Sequence, residues 1–169
     1  MAISGAGRNS FIRAGRLLLA ITASGLRLAG ITIAIFGVTT VFVPSDLRFI
    51  GLGVPALRRI SPMLIPVISH DRSGFGGGLC SIGSFLFFVA HFAEVNRSLV
   101  EIVASMGFAG FGCAIGVHFA VGYLDFCHLL PAFAGLGLFL VADLLLWRGR
   151  TKAVRLGQPQ STTVRFEAV

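Results

Sequence analysis

The chain has 169 residues, of which 55% are hydrophobic and only 12% charged, and its mean hydropathy is +0.88. A water-soluble fold of this length would leave most of those apolar side chains exposed, which excludes a soluble enzyme, a disordered protein and a disulfide-stapled secreted domain. The net charge of +7 does not point to nucleic acid, because the thirteen Arg and one Lys flank apolar runs instead of striping a polar face. Residues so placed set topology and meet lipid headgroups, anionic ones included. Cys80, Cys113 and Cys127 form no CxxC pair, so zinc-finger and thioredoxin-type readings fail.

Residues 1–21 begin as a basic segment with Arg8, Arg13 and Arg16, and an apolar stretch follows from Leu17 to Val43. The span is placed at about 22–43, with Arg27 in its first turns reaching back toward the headgroups. A secretory signal peptide is the competing reading, but no A-x-A site follows and its removal would truncate the first span. Residues 44–75 interrupt the pattern: Pro44, Pro55, Pro62 and Pro66 forbid a continuous spanning helix. Their apolar content and the pair Arg58 and Arg59 fit a short amphipathic piece lying at the interface.

The second span is expected over about 76–92 and the third over about 99–123, joined by the polar turn Glu94–Ser98, which is short enough to make them antiparallel. The third span carries Gly107, Gly110, Gly112 and Gly116; Gly112, Gly116 and Ala120 repeat at the four-residue spacing that lets helices approach closely. The run Gly74 to Gly78 lacks the Lys and Ser/Thr of a phosphate loop, so close packing of the second span is its expected purpose. The fourth span, about 129–147, ends at Trp147 in an aromatic belt, and a basic tail fills 148–169.

Four spans put both termini on one side. Nine basic residues fall in the segments on that side and four, Arg48, Arg58, Arg59 and Arg72, on the other, which places both termini in the cytoplasm of a cell or inner membrane. Sorting ionisable residues by the helical rise then gives two layers. The outer layer holds His70, Asp71, Arg72, His118, Asp125 and His128, with Cys80 and Cys127 near the same face and their pairing open. Three imidazoles and two carboxylates near water suit a transition metal or a proton relay. No H-x-x-x-H or HExxH spacing supports the metal, and Asp71 beside Arg72 also reads as a cap with an ion pair. Haem is disfavoured, because His91 and His118 fall at opposite depths. The inner layer holds Arg27, His91 and Asp143 at roughly 21 to 24 Å from the outer ends; Arg27 is the natural partner of Asp143, as a buried ion pair or part of a proton path.

The segments VFVPSDLRFIGL and ISPMLIPVISHDRSGFGGGLCSIG, within residues 41–83, resemble a stretch of small bacterial four-span membrane proteins. The resemblance implies that the Pro-rich segment and the second span form one unit, and it brings no activity with it. The expected fold is therefore all-α, an integral membrane four-helix bundle with a Pro-rich interfacial segment between its first two spans. Three functions stay open. One is a non-catalytic membrane component, self-associating or an accessory subunit of a complex, which requires no cofactor. A second is a metal-dependent enzyme or redox protein using His70, His118, His128, Asp71 and Asp125. The third is a small proton-coupled transporter using Arg27, His91 and Asp143.

Overall fold

The computed structural model describes the backbone of residues 3–156 and the side chains of residues 10–150. Regular structure among them is helical throughout: α1 (Ile3–Val38), α2 (Pro44–Ile50), α3 (Val54–Ile60), α4 (Leu64–Phe92), α5 (Arg97–Val121) and α6 (Phe126–Leu156). Arg8, Lys152, Arg155 and Arg165, which enter the charge count, lie outside the described side chains.

Four stretches are long and apolar enough to cross a bilayer: Ser10–Val38, Leu64–Phe92, Arg97–Val121 and Phe126–Arg150. Most of their apolar surface is left uncovered by the rest of the chain; Leu28, Val38, Phe88 and Phe92, for instance, are all exposed. In water such a surface would drive aggregation. In hydrocarbon it costs nothing, and every helix satisfies its own backbone. The chain is thus an all-α helical bundle of a multi-pass membrane protein.

Three boundaries depart from the sequence reading. Helix α1 starts at Ile3 and its spanning stretch at Ser10, not near residue 22, so Arg27 lies in mid-helix instead of in its first turns. Helix α4 starts at Leu64, not near Gly76, and runs through Pro66, His70, Asp71 and Arg72. Pro66 is tolerated because it is the third helical residue, where the N–H has no intrahelical acceptor. Helix α1 stops at Val38, short of Val43. Thr39 and Thr40 leave the helix, and Val41 takes a left-handed backbone with φ of 63°, a costly conformation for a β-branched residue. Burial holds it there: Val41, Phe42 and Leu57 form a small second core against Leu47, Val54, Leu64, Ile65 and Ile68. This core folds α2 and α3 back onto the first turns of α4. Pro44 then opens α2 at its first helical position, where a fixed φ helps.

In the main bundle α1 lies between α4 and α6, and α5 packs on α6. Leu19, Ala23, Leu86, Val100, Val103, Phe111, Phe139, Ala142 and Leu146 fill the centre. Between α1 and α4 the contact is backbone on backbone. A Cβ built at Gly76 would sit 2.6 Å from the Gly30 carbonyl oxygen and from the Ala34 nitrogen, and one at Gly83 would sit 2.8 Å from the Ala23 carbonyl oxygen. Ser69 Oγ donates to the Gly37 carbonyl at 2.6 Å across the same seam. Only small residues allow this approach. At the far end Arg16 of α1 donates to the carbonyls of Ala90, His91 and Ala93, which lack N–H donors from α4 and carry its negative dipole end.

The glycine run of α4 therefore serves packing at Gly76 alone, since nothing lies within 4 Å of a Cβ at Gly74, Gly77 or Gly78. Two neighbouring substitutions separate these roles. Gly76→Leu wedges the seam apart and lowers stability in detergent by on the order of 3 kcal/mol, while Gly77→Leu stays within about 0.5 kcal/mol. Thermal unfolding followed by circular dichroism compares them.

Candidate functional site

The densest polar constellation lies where α2, α4 and the α5–α6 loop meet, and Asp46 is its centre. Asp46 is the third residue of α2, and from there its Oδ2 accepts the N–H of Val43, the residue that precedes the helix, at 2.9 Å. The same oxygen accepts Arg72 Nη2 of α4 at 2.7 Å, and Oδ1 accepts the Tyr123 hydroxyl at 2.9 Å. Asp46 is 4% exposed. Burial alone would push its carboxyl up, but the Val43 N–H, Arg72 and Tyr123 outweigh it and hold the pKa below the ordinary aspartate value. Burial pushes the Tyr123 phenol up; donation to Asp46 adds to that rise and the hydrogen bond with Ser45 opposes it.

Aromatic rings surround this lock. Tyr123 stacks on Phe49 with centroids 4.7 Å apart and touches His128 at 5.0 Å and His118 at 5.7 Å; the two imidazoles are 5.2 Å apart. His118 closes α5, and its Nδ1–H donates to the Ala114 carbonyl at 2.7 Å. That bond leaves Nε2 as the open nitrogen. Arg72 also lies over the Phe42 ring, 5.7 Å from its centroid.

The structure divides the outer residues of the sequence reading into separate groups. His118, His128 and Asp125 are near one another, but Asp125 is occupied as the cap of α6: its Oδ1 accepts the His128 N–H at 2.8 Å, and its Oδ2 is a loose 3.9 Å from Arg48. His70 pairs with Asp71 at 3.1 Å on an exposed face of α4. Two helical steps take His70 to Arg72, so His70 points about 200° away from the side that meets Asp46. Asp71 thus takes His70 as its partner, and Arg72 turns to Asp46 instead of to its neighbour. Among the described residues no group of three or more His, Cys, Asp or Glu side chains is placed to hold a metal ion. Cys80, Cys113 and Cys127 are free thiols.

The inner layer is likewise split. Arg27 faces α4, where a Cβ on Gly83 would meet its Cγ at 2.7 Å, and its guanidinium lies over Phe87 at 5.4 Å. His91 stacks on the same ring at 4.3 Å and donates Nδ1–H to the Phe87 carbonyl at 2.8 Å. No ion pair joins Arg27 to Asp143 among the described residues, because equal depth did not bring equal azimuth: Arg27 looks toward α4 and Asp143 belongs to α6. The Oδ1 of Asp143 is buried without a hydrogen-bond partner among the described residues.

Sequence reasoning passed over Asp46 and Tyr123. The signal for Asp46 was present in Val43-Pro44-Ser45-Asp46, a proline at the first helical position followed two residues later by an acid that can reach back. Nothing local marks Tyr123, whose role depends on the return of the chain after α5.

Removing the anion leaves Arg72 unpaired, and Asp46→Ala lowers stability by about 2–3 kcal/mol, less than for a sealed pair because Arg72 retains some access to water. The pH dependence follows from the lowered pKa of the folded state: the Asp46 contribution is complete above about pH 4 and fades as the pH falls through the folded value. Denaturant titration in detergent at stepped pH reads both. Tyr123 is the single tyrosine, so tyrosinate absorbance reports on it alone. Its titration is expected above about pH 10, and Asp46→Asn moves the titration downward.

No protein-family model matches this chain, and no curated protein or solved structure matches it either.

Proposed function

We propose that the protein is a non-catalytic component of a cell or inner membrane, self-associating or an accessory subunit of a larger complex, with both termini in the cytoplasm and the α2–α3 segment on the opposite face. The observation that supports this is that Asp46 has both oxygens engaged within the chain. Its two oxygens accept three donors, all from the chain itself, so the best-formed polar cluster has its acceptors committed to holding three segments together. Such a cluster fixes architecture and offers a substrate little purchase. The face of α5 that carries Gly112, Gly116 and Ala120 supports the partner role. Among the described residues nothing lies within 4 Å of a Cβ at either glycine, so the small-residue spacing expected to pack helices is unused among them.

The test is the triple variant His70→Ala/His118→Ala/His128→Ala in the native host. It is expected to keep the wild-type phenotype and protein level, because none of the three imidazoles donates to Asp46. Loss of the phenotype at an unchanged protein level would overturn the proposal in favour of a metal or redox role for those residues.

A second reading, a small proton-coupled transporter, is favoured by the Oδ1 of Asp143, buried and without a hydrogen-bond partner among the described residues, since ionisable groups within membrane spans line proton and ion pathways. Proton flux into proteoliposomes distinguishes the two. The component reading expects equal, background flux for wild type and Asp143→Asn, whereas a transporter expects the asparagine to abolish a wild-type flux.

A further inference from the structure

The α2–α3 segment presents an unusual surface. Leu57 turns inward and is 4% exposed, so Arg59, two residues on, points about 200° away from the bundle, and Arg58 flanks it. Both arginines are exposed. Neither has a carboxylate partner among the described residues: Asp46 is taken by Arg72, Asp71 by His70, and Asp125 caps α6 with Arg48 nearby. Around them Ile60, Met63 and Leu52 are exposed as well, Ile60 and Met63 by about two thirds. Seven residues make α3 too short to cross a bilayer. It is tethered between the ends of two helices that are long enough to cross one, α1 at Val38 and α4 at Leu64. Chain connectivity therefore keeps this mixture of bare cations and bare aliphatics at bilayer-surface height.

Water suits the arginines and not the aliphatics; hydrocarbon does the reverse. The headgroup layer of an anionic phospholipid satisfies both, with phosphate oxygens accepting from the guanidinium forks and acyl chains covering Ile60 and Met63. We propose that α3 binds anionic phospholipid on its side of the membrane through Arg58 and Arg59. A free phosphate ion offers the same oxygens and nothing for the aliphatics, so the lipid is the favoured source. The proposal does not depend on whether the protein is a component or a transporter.

The experiment uses the full chain in nanodiscs, with Cys80, Cys113 and Cys127 replaced by alanine and a spin label on Ile60→Cys. Adding phosphatidylglycerol to phosphatidylcholine discs is expected to slow the label, and Arg58→Ala/Arg59→Ala is expected to shrink that response about fivefold, as is the milder Arg58→Gln/Arg59→Gln. Arg97→Ala, at the start of α5, is expected to leave the response intact. An equal response in the double variants, an equal loss in Arg97→Ala, a response to inorganic phosphate in pure phosphatidylcholine discs as large as that to the lipid, or no response at all would each overturn the proposal.

Discussion

The approach of α1 to α4 is the constraint on which the rest of the molecule rests. In hydrocarbon no hydrophobic force drives helices together, so close packing, interhelical hydrogen bonds and polar clasps hold the bundle. Gly30, Gly76 and Gly83 let two backbones come within van der Waals reach, Ser69 adds a hydrogen bond, and Arg16 ties the far end of α4 to α1. With this pair set, α6 packs on the other side of α1 through Gly15, Ala142 and Leu146. Helix α5 then follows on α6, where Gly107 receives the Phe139 ring. Each helix beyond the first pair thus packs on a neighbour that the pair positions.

The same pair sets the outer lock. Arg72 lies on α4 one turn before Gly76, and the α1–α4 seam fixes the rotation of α4 about its axis. That rotation aims Arg72 at Asp46 and turns His70 away. The aromatic group of Phe49, Tyr123, His118 and His128 gathers at the same corner, where the loop after α5 passes over α2. Position along a helix and rotation about it are separate quantities, and only the first is legible from spacing alone.

That distinction explains what the sequence disclosed. Fold class and the number of spans follow from hydropathy, which sums over many residues and tolerates local error. Close packing was read for the whole run Gly74 to Gly78, and only Gly76 meets a neighbour among the described residues. The Gly112, Gly116 and Ala120 spacing was no different in kind and yet faces open space, since pairing depends on which neighbour lies opposite. Arg27 and Asp143 share a depth and not a direction. The start of α4 at Leu64 was hidden by Pro66, whose usual meaning as a helix breaker lapses in a first turn. Asp46 and Tyr123 lie 77 positions apart, and no local pattern links them.

The Asp46 lock draws on residues near position 45, on Arg72 and on Tyr123, which emerge from the ribosome in that order. While α4 is being made, the carboxylate has Arg72 in the chain but no phenol; the last donor, Tyr123, follows directly after α5. The cluster is thereby closed by the latest-arriving of its three segments, the one that follows α5. A chain arrested after α4 would carry the acid with one lone-pair set still facing water, a polar flaw at its surface that the finished protein does not have.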